Sequence, residues 1–152
     1  MSRHLKSVRK HYRPRIVVDA RRSRNMRSVR AKNTGPELIV RSALHALGLR
    51  FRLHRSDLPG RPDLVMPKWR TVIFVNGCFW HRHSGCNKAK LPKTNAAFWK
   101  SKLARNVERD RNAIAQLRQA GWRVIVIWEC NLRDQGVILA LAGREFGIPT
   151  LV

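Results

Sequence analysis

From residue 34 onward the chain alternates between two hydrophobic periods, and the switches between them outline a series of elements. Thr34 followed three positions later by Glu37 matches a helix capping box, and Pro36 is tolerated in a first turn. Val40, Leu44 and Leu47 then recur at helical spacing until Gly48, which can end the helix. Residues 49–54, Leu-Arg-Phe-Arg-Leu-His, change to strict alternation, the pattern of a half-exposed strand. Pro59-Gly60-Arg61-Pro62 marks a turn, and Asp63 to Met66 a short strand. Thr71 to Val75 is apolar throughout, which predicts a central position in a sheet. A long helix is expected over 96–120, with Leu103, Val107, Ile114 and Leu117 on one face and Gly121 past its end. Trp122 to Trp128 reads as another buried strand, joined to the first by a parallel crossover through that helix. An amphipathic helix over roughly 134–146 closes the chain. The expected fold class is α/β: one domain over 34–152, a central mixed sheet flanked by helices.

Residues 1–33 break this pattern. They carry twelve Lys or Arg, a single acid (Asp19) and no apolar periodicity. This stretch reads as a flexible basic arm that orders on nucleic acid, with Arg22, Arg24, Arg27 and Arg30 as DNA contacts; the alternative is a tail kept for solubility. Over the whole chain, 32 Lys and Arg against 9 Asp and Glu give a formal net charge of +23. Such an excess suits a polyanion, because each neutralised phosphate releases condensed counterions. A membrane surface is the competing partner. No apolar run approaches the roughly 18–20 residues that span a bilayer, however, and no signal-peptide pattern opens the chain. Nucleic acid is therefore favoured, with a cytoplasmic location. Three cysteines leave one over from any disulfide, which points to a reducing compartment and to metal or core roles.

Four groupings can carry chemistry. Asp63 sits where a turn enters a strand, a rigid place for a carboxylate that holds Mg²⁺ beside a phosphate. The alternative is a turn aspartate bonded to its own backbone. Cys78, His83 and Cys86 lie within nine residues, and Cys130 follows the second buried strand. Together they supply a tetrahedral Cys₃His set for structural zinc. If the two strands are neighbours, Cys78 and Cys130 emerge at the same sheet edge; otherwise these are buried, unpaired cysteines beside a surface histidine. Phe79 and Trp80, with Phe98 and Trp99 nearby, can stack on bases or wedge between base steps, the alternative being core packing. Trp69, Trp122 and Trp128 are assigned to the core or its rim. His81, outside the zinc set, can pass a proton near neutral pH, with Glu37 close enough to orient it. For Glu37 the capping box is an equally complete explanation.

Thr34-Gly-Pro-Glu37, Phe51-Arg-Leu-His-Arg55, Leu58-Pro-Gly-Arg-Pro-Asp63, Gly77-Cys-Phe-Trp-His81, Asn106-Val-Glu-Arg-Asp-Arg111 and Trp128-Glu-Cys130 occur in this order. Together they resemble the very-short-patch repair (Vsr) endonucleases over about residues 26 to 133. The resemblance implies a variant of the restriction-endonuclease fold that nicks DNA 5′ to the thymine of T:G mismatches left by 5-methylcytosine deamination. It implies Asp63 as the Mg²⁺-binding catalytic carboxylate, with the Val75 main-chain carbonyl as a further metal contact. His81 becomes the catalytic histidine, with Glu37 assisting. Phe79, Trp80 and Trp99 correspond to an aromatic wedge, and Cys78, His83, Cys86 and Cys130 to a structural zinc site. Restriction-type nucleases carry acid-x-Lys on the second strand, where this chain reads Val75-Asn76-Gly77; Asn76 stands where some relatives carry histidine. The expected partner is double-stranded DNA bound by a monomer, with room for mismatch-repair proteins. The competing readings are a restriction endonuclease on the same scaffold and a catalytically silent, zinc-stapled DNA-binding module.

Overall fold

The computed structural model describes residues 32–134 and 136–149. The basic arm, including Arg22, Arg24, Arg27 and Arg30, falls outside the described residues.

Helix α1 (Gly35–Ala46) begins where the capping pattern places it. The Thr34 hydroxyl accepts the Glu37 N–H at 3.5 Å, and the Glu37 carboxylate accepts from the Thr34 hydroxyl and the Asn33 N–H, each at 3.0 Å. In a standard capping box the glutamate returns to the N-cap N–H; here it reaches one residue further back. Strands β1 (Arg52–Leu53), β2 (Leu64–Met66) and β3 (Thr71–Asn76) follow, then helix α2 (Ala96–Gln119), strand β4 (Arg123–Trp128) and helix α3 (Gly136–Phe146). The sheet order is β1-β2-β3-β4, with two antiparallel pairings and then the expected parallel one between β3 and β4.

Strands β2, β3 and β4 divide their side chains between two cores, as the two-residue strand period requires. Leu64 and Met66, Ile73 and Val75, and Ile125 and Ile127 join α1 and α3 through Val40, Leu44, Ile138, Leu141, Ala142 and Phe146. Val65, Val72, Phe74 and Val124 face the other way, towards Leu117 of α2. Helices thus cover both faces, which explains why β3 is apolar without alternation from Val72 to Val75.

Two expectations on local structure are corrected. The strand foreseen over 49–54 is paired only at Arg52 and Leu53, both exposed. Its partner β2 offers only three residues, and His54 turns away with φ +46°. On α2, Leu103, Ala113 and Leu117 are buried, whereas Val107 and Ile114 are half-buried. Val107 and Ile114 line surface cavities instead of filling the core.

The turn leading to Asp63 is wedged against this framework. Gly60 has φ +71°, and a Cβ there would stand 2.7 Å from the Ala113 Cβ and 3.2 Å from the Phe74 ring. Gly60→Ala therefore combines left-handed strain with overpacking. We expect it to destabilise the domain by about 2–4 kcal/mol, read as a lowered midpoint in urea unfolding. An unchanged midpoint would show that the turn is not so constrained.

Candidate active site

The C-terminal end of β3 gathers the chemistry. Asp63, one residue ahead of β2, turns its carboxylate towards β3, where Oδ2 accepts the Val75 N–H at 2.7 Å. That bond holds the carboxylate rigidly. In an extended strand the N–H and C=O of one residue point to the same edge, so the Val75 carbonyl shares the Asp63 side. The other oxygen, Oδ1, is 3.9 Å from His54 Nδ1. Glu37, His54 and Asp63 each place one ligand atom within 4.8 Å of the others, close enough to hold a metal ion. Burial raises the Asp63 pKa above the ordinary carboxylate range and the Glu37 charge adds to this; the Val75 N–H, His54 and Arg41 oppose it.

His81 lies on the loop after β3 with its Nδ1 2.5 Å from Asp110 Oδ2 on α2. The expected pairing of His81 with Glu37 is therefore replaced by one with Asp110. Glu37 is 3% exposed and engaged instead by Arg41 at 2.6 Å, Asn33 and Thr34. The cause is topological: Glu37 is tied into the cap of α1, whereas α2 runs alongside the loop that carries His81. With Nδ1 occupied, Nε2 is the nitrogen available to a cavity of about 450 Å³ that His81 lines with Asn76, Arg61, Arg109 and Asp110. Asp110 belongs to the Asn-Val-Glu-Arg-Asp block, yet its role escaped the sequence reading. An acid on the exposed flank of a helix gives no signal until the loop it meets is known.

The loop is fixed by its own turns and by the cysteine cluster. His81 N–H bonds to Gly77 O at 3.2 Å, His83 N–H to Cys78 O at 3.0 Å and Cys86 N–H to His83 O at 3.3 Å. The β3–β4 register sets Asn76 opposite Trp128, so Cys78 and Cys130, each two residues on, emerge side by side as expected. His83 Nδ1 is 3.6 Å from Cys78 Sγ and 3.3 Å from Cys130 Sγ. A tetrahedral zinc, with Zn–S of about 2.3 Å and Zn–N of about 2.0–2.1 Å, would set such atoms about 3.6 Å apart. Cys78, His83, Cys86 and Cys130 thus fit a zinc ion in spacing and in donor chemistry. Burial pushes the Cys78 thiol up to about 12, whereas backbone N–H groups, Lys88 foremost, lower that of Cys86. Trp128, expected in the core or its rim, is half-buried and stacks on the His83 ring at 4.2 Å with planes 8° apart.

Phe79, Trp80 and Trp99 form one half-buried aromatic cluster with ring centroids 5.2–6.1 Å apart, and Phe98, 56% exposed, joins it through Trp99. Lys102 Nζ lies 5.4–5.8 Å from the Trp99, Trp80 and Phe98 rings. Asn106 donates to the Trp80 carbonyl at 3.2 Å. Lys102 carries no signal in the sequence, and Asn106 figures there only as the first residue of the Asn-Val-Glu-Arg-Asp block. The result is an aromatic surface carrying its own cation, suited to base stacking beside a phosphate.

A carboxylate anchored to β3 and a histidine held on the loop that follows it occur in a chain whose charge draws polyanions, and the class these define is a DNA endonuclease. Known proteins narrow it. The sequence pattern of the family described as DNA mismatch endonuclease Vsr matches residues 15–88. The type II nicking enzyme V.XorIIP of Xanthomonas oryzae pv. oryzae is 52% identical, over 79% of this chain and 88% of its own. The DNA mismatch endonuclease Vsr of Escherichia coli is 48% identical, over 76% and 74%. The type II nicking enzyme V.NaeI of Lentzea aerocolonigenes is 43% identical, over 88% and 84%. The chain belongs to the Vsr family of DNA endonucleases, as its motifs led us to expect. Among the described residues, no helix is long and apolar enough to cross a membrane.

Proposed function

We propose that this endonuclease nicks one DNA strand 5′ to the thymine of a T:G mismatch, with Mg²⁺ at Asp63. The observation that carries the reading is a pair of anchored groups on β3 and the loop that follows it: Asp63 held by the Val75 N–H, and His81 held by Asp110. Asp63 and the Val75 carbonyl offer hard oxygen donors of the kind Mg²⁺ takes. Bound there, Mg²⁺ would supply positive charge against the scissile phosphate. His81 acts as general base through Nε2. Asp110 fixes the ring's tautomer and stabilises the imidazolium formed on proton uptake, the division of labour of histidine–aspartate pairs generally. Glu37 assists from behind Asp63, with His54 between them. Phe79, Trp80 and Trp99 wedge beside the mismatch. The cysteine cluster holds structural zinc, and Arg22, Arg24, Arg27 and Arg30 add phosphate contacts.

His81→Ala is expected to lower the single-turnover nicking rate by about 10²–10⁴-fold, and Asp110→Asn by a comparable factor, with zinc content unchanged. Full activity in either variant would remove the pair from the mechanism. The mismatch itself is tested by nicking of matched and T:G duplexes, with and without cytosine methylation. Cutting of a matched site at the same rate would point to a sequence-directed nickase instead.

A further inference from the structure

Arg41 makes contacts that the nicking reaction as drawn does not require. It stands one turn after Glu37 on α1, with Nη2 2.6 Å from Glu37 Oε2 and 2.8 Å from His54 Nε2, and Nη1 2.7 Å from Asn33 Oδ1. Its side chain is 11% exposed, and its Nε is buried with no partner among the described residues. A buried cation left partly unsatisfied is costly, so its retention calls for a reason.

A guanidinium has only donors and keeps its charge. Its contact with His54 Nε2 therefore needs a lone pair there, which makes His54 a neutral ring with its hydrogen on Nδ1. That hydrogen faces Asp63, whose Oδ1 is 3.9 Å away. Neither ring nitrogen is then free to ligate a metal: one lone pair is taken by Arg41, and the other nitrogen is protonated. Glu37 is similarly occupied, with Oε2 accepting from Arg41 and Asn33 and Oε1 from Thr34. Of the three side chains close enough to hold an ion together, Glu37 keeps one lone pair on Oε1, beside the Arg41 cation, whereas Asp63 Oδ1 accepts no hydrogen bond among those of the described residues.

We propose that Arg41 is a positioning residue for metal discrimination: it withdraws His54 and Glu37 from coordination, leaving an oxygen site at Asp63 that holds zinc only weakly. The chain needs such a device because it also carries a Cys₃His cluster that calls for zinc. Imidazole with two carboxylates is a good zinc set, and zinc outranks magnesium at nitrogen-containing sites. Without Arg41, zinc would compete where Mg²⁺ must act.

This inference rests on Asp63 being the catalytic cation ligand, but its test needs neither Mg²⁺ nor DNA, so failure of mismatch nicking would be a separate result. Full-length protein is dialysed against buffered zinc and the bound metal counted. Wild type is expected to hold one zinc per chain at the cysteine cluster. Arg41→Met should hold a second, bound at least about tenfold more tightly than any second zinc on wild type, and Arg41→Met with His54→Gln should lose it. A second tight zinc in wild type that His54→Gln removes would overturn the proposal, as would Arg41→Met remaining at one. Should Arg41→Met fail to fold, ¹⁵N NMR of the wild-type histidines decides. Hydrogen on Nδ1 of His54 supports the proposal, and hydrogen on Nε2 overturns it.

Discussion

Asp63→Asn is expected to lower the nicking rate by roughly a thousandfold or more while leaving DNA affinity within a few-fold of wild type. The substitution keeps an oxygen that accepts the Val75 N–H, so the turn and strand stay in place and the charge alone is removed. Single-turnover nicking of a T:G duplex, beside a binding titration, separates the two effects; persistent cutting would sink the role assigned to Asp63. A pH dependence follows from the same carboxylate. Burial raises its pKa, so the ionised form is disfavoured in the folded protein. Folding therefore bears the cost of that charge above the folded pKa and is relieved of it as pH falls through that value. Metal binding responds in the opposite sense, because Mg²⁺ requires the ionised form. The Mg²⁺ needed for half-maximal nicking should climb as pH falls, beginning at a higher pH than for an ordinary aspartate. A Mg²⁺ requirement independent of pH across the acid range would contradict this.

Stripping zinc from the cysteine cluster should have the second large effect. Structural zinc contributes folding energy directly, about 10–16 kcal/mol of binding in small finger peptides. In this larger domain we expect a chelator to lower the thermal midpoint by at least about 10 °C, and nicking to be lost even with Mg²⁺ restored. The second outcome follows because the loop held by Cys78, His83 and Cys86 also carries His81. Zinc must displace the proton of Cys78, whose thiol burial pushes up to about 12, so chelation should become easier as pH falls. Cys130→Ser should reproduce both losses. A chelated protein that melts and nicks as before would show the cluster to be dispensable.

The sheet and helices were readable because their signals are local or periodic: the Thr34–Glu37 cap, the unbroken apolar run of β3, and Gly121 after α2. The zinc set was readable because four ligands at suitable spacing have few other uses. What was hidden depends on which distant surfaces meet. Asp110 gains its meaning from the position of α2 beside His81, and no periodicity reports that. Arg41 and His54 lie 13 residues apart on either side of a turn, and their pairing needs the path of the chain between α1 and β2. Glu37 was placed with the wrong histidine for the same reason. Its cap was legible, but the wall of the site behind the cap was not. The edge strand was overdrawn because alternation counts side chains, whereas a strand lasts only as long as its neighbour.

The parallel register that brings Cys130 beside Cys78 also orders events during biosynthesis. Three ligands sit together on one loop, but the fourth arrives only after a 24-residue helix and the last strand have been made and docked. A nascent or truncated chain can assemble Asp63 and even Trp80, yet it cannot close the metal cage that steadies His81. Zinc binding by all four ligands would therefore wait until β4 is in place beside β3. Until then the loop that carries His81 would lack its fourth ligand, in a chain already strongly cationic.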